Sequence, residues 1–202
     1  VNTHTDLSDE LYREGKLVSD NYKNILRSQT NAAAIPAEVT VRYGVTVRRA
    51  NLRNLPTGEG LFFYASDRNF DALQETALDP GEAVAILHTS TNGYFYYVQA
   101  YNYRGWLSKF DVAETDRSTW LRYAEPKNFL TVVAKDYTLK ADGAQVLFQQ
   151  GARLQLADKK ASAYTVKVPV RTKEGKLQEE KVVLAANASL HEGYLPYTTN
   201  NI

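Results

Sequence analysis

The stretch YVQAYNYRGWLSKFDVAE, residues 97–114, crowds tyrosines, an arginine and a tryptophan around one glycine. Side chains of these types can bind a ligand: aromatic faces take apolar groups, and a guanidinium forks onto a carboxylate. On a strand, alternation puts Tyr101, Tyr103 and Gly105 on one face and Asn102, Arg104 and Trp106 on the other. One face is expected to close a core, with Gly105 permitting a sharp bend, and the other to edge a groove for an extended peptide. Upstream, Arg49 and Arg53 have the chemistry to hold a carboxylate, although bracing a loop is the commoner task of such an arginine. Asp71, Gln74 and Glu75 fall within one turn and suit either orienting an amine or capping loop backbone. Without a third group and a cleft, a pair of carboxylates does not indicate acid/base catalysis.

Other chemistries are excluded by composition. The 202 residues include no cysteine, which removes disulfides, thiolate metal sites and a cysteine nucleophile from this chain. His4, His88 and His191 are far apart and form no ligand spacing, so no metal is expected. Gly58 and Gly60 lack the strand-then-helix setting of a phosphate loop, and no cofactor is expected. With 24 basic and 23 acidic residues the net charge is +1, which gives no global field for nucleic acid or an anionic membrane. No apolar run approaches the roughly 20 residues that cross a bilayer. The chain begins at Val1 in a segment unlike a signal peptide and has no methionine, so that end is expected to be a processing or boundary point.

The elements that would position these residues are mostly strands. Residues 7–29 carry the only helical pattern, in two pieces separated by Gly15, with Ser19 as N-cap and Tyr22, Ile25 and Leu26 on one face. Pro36 ends a linker, and from Val39 to Val47 the period becomes two. A long loop is expected from Arg48 to Pro80, then a hairpin whose Asn92-Gly93 pair predicts a type I′ turn. A short strand and a turn complete a small, strongly bent barrel. The boundary falls at WLRYAEPKN, after which FLTVVA, QVLFQQGARLQLA, AYTVKVPVRT and KLQEEKVVLAA read as strands, with Asp142-Gly143 and Glu174-Gly175 as turns. Thr198 to Ile202 reads as the start of a further helix.

VRYGVTVRRANLRNLPT, FDALQETALDPGEAVAILHTSTNGYFYYVQAYNYRGWL and GYLPYTTNNI resemble the bacterial SH3-like (SH3b) domains that precede the catalytic domain of NlpC/p60-type cell-wall cysteine peptidases. The likeness spans most of residues 37–202 and is strongest in the first module. It implies a mainly β chain: a helical arm and linker over 1–36, SH3-like barrels over 37–118 and 119–197, and the start of a papain-like catalytic domain over 198–202. The chain itself would then be non-catalytic, with its partners a peptidoglycan stem peptide and that catalytic domain in cis, in the bacterial periplasm or outside the cell. In such peptidases a tyrosine and an acidic residue of the first barrel face the substrate amine, which carries over to Tyr103 and Glu75. A stand-alone adaptor that binds a partner protein or the cell wall is the alternative, since aromatic-lined SH3 grooves also read proline-rich segments.

Overall fold

The computed structural model describes residues 7–196, so His4 and the helix start expected at Thr198–Ile202 lie outside the described residues. In chain order the elements are β1 (Tyr12–Arg13), β2 (Lys16–Leu17), α1 (Asp20–Gln29), β3 (Arg42–Thr46), β4 (Ala50–Arg53), β5 (Gln74–Leu78), β6 (Ala83–Thr89), β7 (Phe95–Gln99) and β8 (Arg104–Ser108). There follow β9 (Val112–Thr115), α2 (Arg117–Ala124), β10 (Phe129–Val132), β11 (Asp136–Ala141), β12 (Ala144–Gln149), β13 (Arg153–Lys160), β14 (Ala163–Arg171), β15 (Leu177–Ala185) and β16 (Leu190–Glu192). The mainly β class and the N-terminal helix are as expected. The described residues divide into two compact units: those up to Arg42 with Ala50–Leu78 and Val84–Phe110, and Tyr43–Arg49 with Asp79–Ala83 and those from Asp111 on.

In the first unit Ser19 caps α1 as predicted, its hydroxyl accepting the Tyr22 N–H at 3.3 Å, with Asp20 in the first turn and Arg27 in the last to suit the helix dipole. Leu26 packs against Leu7, Leu11, Leu55, Leu61 and Leu73, whereas Ile25 on the same expected face is exposed. The piece before Gly15 is not helical. Glu14 and Gly15 take φ of 52° and 80° and turn a two-residue hairpin between β1 and β2.

The unit's sheet runs β5-β4-β8-β7-β6, all antiparallel. The loop expected over 48–80 is therefore shorter, because ANLR and QETAL are strands. Asn92-Gly93 does join β6 to β7, but only Gly93 has positive φ, at 70°, so the turn is not type I′. The Ser90 hydroxyl closes it instead, donating to Asn92 Oδ1 at 2.8 Å and accepting the Phe95 N–H at 3.0 Å. Leu52, Ile86, Val98, Trp106 and Leu107 are buried.

The second unit contains a five-stranded antiparallel sheet, β15-β14-β13-β10-β16, and the separate hairpin β11–β12. Here the type I′ geometry does occur, at Asp142 and Gly143 with φ of 47° and 74°. Leu130, Val132, Phe148, Leu154, Val166 and Val168 form its core, following the period-two pattern of these strands. Helix α2 was not legible in the sequence. Asp116 caps it by accepting the Thr119 N–H at 2.9 Å, and Trp120 meets the Tyr43 ring at 5.2 Å.

Candidate functional site

The features that could hold a ligand in the first unit begin at its outer strand. Leu52 pairs with Thr76 and Arg53 with Gln74, which leaves Glu75 as the extra residue of a β-bulge on β5. Bulges re-aim side chains and interrupt the ladder. Glu75 is half-buried, and its carboxylate makes no hydrogen bond or ion pair among the described residues. Gln74 beside it is exposed.

Of the two tasks open to Arg53, holding a carboxylate ligand or bracing a loop, the structure shows the second. Its side chain is 6% exposed, with Nη1 2.7 Å from Asp71 Oδ2 and Nη2 donating to the Glu59 carbonyl at 2.6 Å. Asp71 Oδ1 in turn accepts the N–H groups of Leu61 at 3.1 Å and Leu73 at 3.0 Å. This pair clamps the loop between β4 and β5, so neither residue has a free charge for a substrate. Arg49, in the second unit, pairs with Asp79 at 3.0 Å, and Asp79 also accepts the Gln149 N–H at 3.1 Å. Bracing is thus the role of both arginines.

The opening motif is split between core and surface. Trp106 pairs with Tyr97 across β7 and β8 and is fully buried, its ring 5.2 Å from Tyr97 and 6.1 Å from His88. It is a core residue, not a groove edge, because it occupies the central strand β8 between Arg53 and Tyr97. Gly105 is needed for close approach: a Cβ there would lie 2.6 Å from the Arg53 carbonyl oxygen. Tyr101 and Tyr103 are 95% and 40% exposed, and neither hydroxyl has a partner among the described residues. Arg104 is exposed too, with Nε donating to Gln99 Oε1 at 2.8 Å.

Sequence reasoning passed over two groups. Phe63, Tyr64 and Phe70 are exposed in the loop between β4 and β5, Phe70 at 78%. The aromatic run FFY inside a glycine-flanked loop was the available signal. Arg13 lies 4.7 Å over the Tyr22 ring and 2.8 Å from Glu59, whose carboxylate also accepts the Tyr22 hydroxyl. The Tyr22 hydroxyl first, and then Arg13, hold the Glu59 carboxyl below its ordinary range despite some burial. No group of three or more His, Asp or Glu suited to a metal occurs among the described residues.

Residues 61–108, which contain Glu75, Tyr103 and Trp106, match the family of SH3 domains of the SH3b1 type. The resemblance to SH3b-type domains therefore holds for this segment. A solved structure of an NlpC/P60 endopeptidase from Photobacterium damselae subsp. piscicida is similar in fold, with a TM-score of 0.66 and 22% identity. That similarity covers 90% of this chain and 40% of the endopeptidase, so the chain spans well under half of that protein. Among curated proteins none matches. No helix of the described residues is long and apolar enough to cross a membrane.

Proposed function

We propose that this chain is the non-catalytic recognition and scaffolding region of a bacterial peptidoglycan cysteine endopeptidase, acting in the cell envelope beside a papain-like catalytic domain in cis. Residues 37–118 and 119–197 act in this reading as two SH3-like barrels, the first of which borders the catalytic cleft. The reading rests above all on Glu75, a carboxylate without a partner among the described residues, turned out of register by a β-bulge on the outer strand of the unit that holds most of the SH3b segment. A free carboxylate placed this way suits the free amine of a stem peptide, and the exposed Tyr103 adds a hydroxyl and an aromatic face. Arg104 and Gln74 are exposed enough to take a ligand carboxylate and amide, while Trp106, Arg53, Asp71 and Arg49 keep the frame rigid.

The test is calorimetric titration with a stem tripeptide carrying a free N-terminal amine and with its N-acetylated form. Glu75→Gln is expected to weaken the free-amine peptide about tenfold, the loss of one charge-assisted hydrogen bond, and to leave the acetylated one unchanged. Equal binding by the variant overturns the assignment of Glu75. Binding of a proline-rich peptide in place of the stem peptide would make the chain an adaptor.

A further inference from the structure

A cavity of about 360 Å³ opens in the second unit, where the end of α2 and the segment after it pass β13 and β14. Its lining is mixed: Leu121, Pro126 and Leu156 contribute apolar groups, and Gln155 lies directly opposite Lys167 in the strand register. Gln155 is held in place, its Nε2 donating to the Arg122 carbonyl at 2.9 Å.

Charge in this cavity is not balanced. Glu179 accepts from Arg122 Nη2 at 3.0 Å and from Lys167 Nζ at 2.8 Å, so one carboxylate serves two cations. Burial pushes the Glu179 carboxyl up, but those two donors outweigh it and hold it below the ordinary range, so it is ionised at neutral pH. Lys127 adds a third cation on the lining, with no ion pair among the described residues. Glu125 is the one carboxylate on the lining and is likewise unpaired among the described residues. With Glu179 counted, three cations face two carboxylates.

We infer that this cavity binds a short peptide or acylated amino acid through its terminal carboxylate, with Lys127 as the principal contact. The volume fits a ligand of a few residues at most, the surplus cation fits one carboxylate, the Gln155 amide fits a peptide group, and the apolar residues of the lining fit small aliphatic side chains. Such a site is separate from Glu75 and does not depend on how that residue is read.

The experiment is an amide-shift titration of the whole chain with alanyl-alanine and with its C-terminal amide, in both the L,L and D,D forms. Millimolar dipeptide is expected to shift the amides of Leu121, Gln155 and Leu156, the C-terminal amide to bind about tenfold more weakly, and Lys127→Gln to cause a loss of similar size. Lys127 is exposed, so its variant should keep the melting temperature, and Glu75→Gln should leave this binding untouched. Absence of shifts around the cavity, equal affinity for acid and amide, or an unaltered Lys127→Gln affinity would each overturn the inference. A preference between the L,L and D,D forms would tell a protein terminus from a cell-wall peptide as the source.

Discussion

The Arg53 guanidinium lies 2.7 Å from the Asp71 carboxylate with almost none of its side chain in contact with water, and the two residues stand 18 positions apart on either side of one loop. Removing the carboxylate leaves a buried cation. Asp71→Ala is expected to cost about 3 kcal/mol, read as a lower urea midpoint. Replacing both residues with apolar ones of similar size should recover only part of that, because the Leu61 and Leu73 N–H groups would still lack the acceptor that Asp71 supplies.

Gly105→Ala should destabilise the first unit by about 1–3 kcal/mol. The added methyl would meet the Arg53 carbonyl oxygen at 2.6 Å and the Leu52 side chain at 2.7 Å, and backbone cannot yield as a flexible chain end does. Chemical denaturation of the variant checks this. An unchanged midpoint would mean that β4 and β8 are free to separate.

Trp106 and Trp120 are the two tryptophans, one fully buried and one partly exposed. A Trp120→Phe variant, which leaves Trp106 alone, should therefore emit at short wavelength and resist acrylamide quenching until the chain unfolds. Stem-peptide binding should hardly move that signal. Strong quenching in the folded state would contradict the burial of β8.

Acid stability should depend on Asp116. The Ser118 hydroxyl first, and then the Thr119 N–H, hold its carboxyl well below the ordinary range. A depressed folded value means stability that is present above the unfolded carboxylate range and lost as pH falls through the folded one. Asp116→Asn keeps an acceptor for the Thr119 N–H but cannot titrate, so its melting temperature should fall less on acidification than that of the parent.

Glu82 works in the opposite sense. Burial pushes its carboxyl up, against the pull of Arg153 at 3.5 Å. An acid raised in the folded state holds its proton longer than the unfolded chain does, so stability declines as pH rises through that window. Glu82→Gln should flatten this decline in thermal melts run across the carboxylate range.

How much of this the sequence could reveal depended on how local each cause was. Ser19 and the capped turn of α1 involve neighbouring residues and were legible, as were strands of the second unit such as β14, where Tyr164, Val166, Val168 and Val170 recur at every second position. The position of the Asn92-Gly93 turn was legible but its type was not, because the Ser90 side chain does the closing. The strands β4 and β5 were hidden: ANLR is short, QETAL carries a bulge, and neither alternates cleanly. Helix α2 spans eight residues and has little apolar periodicity to read. At the site, residue types were legible but assignments were not. Whether Arg53 met a ligand or Asp71 depended on a contact made across a folded loop, and whether Trp106 faced out or in depended on which strands flanked β8.

The bulge at Glu75 has one more effect, on how copies of the protein meet. An outer strand offers its free backbone groups to any second strand of matching register, which is the start of unwanted assembly. An extra residue in β5, with a charged side chain at the break, spoils that register and makes the strand a poor template. The irregularity that leaves this carboxylate without a partner among the described residues thereby also disfavours growth of the sheet from one molecule to the next.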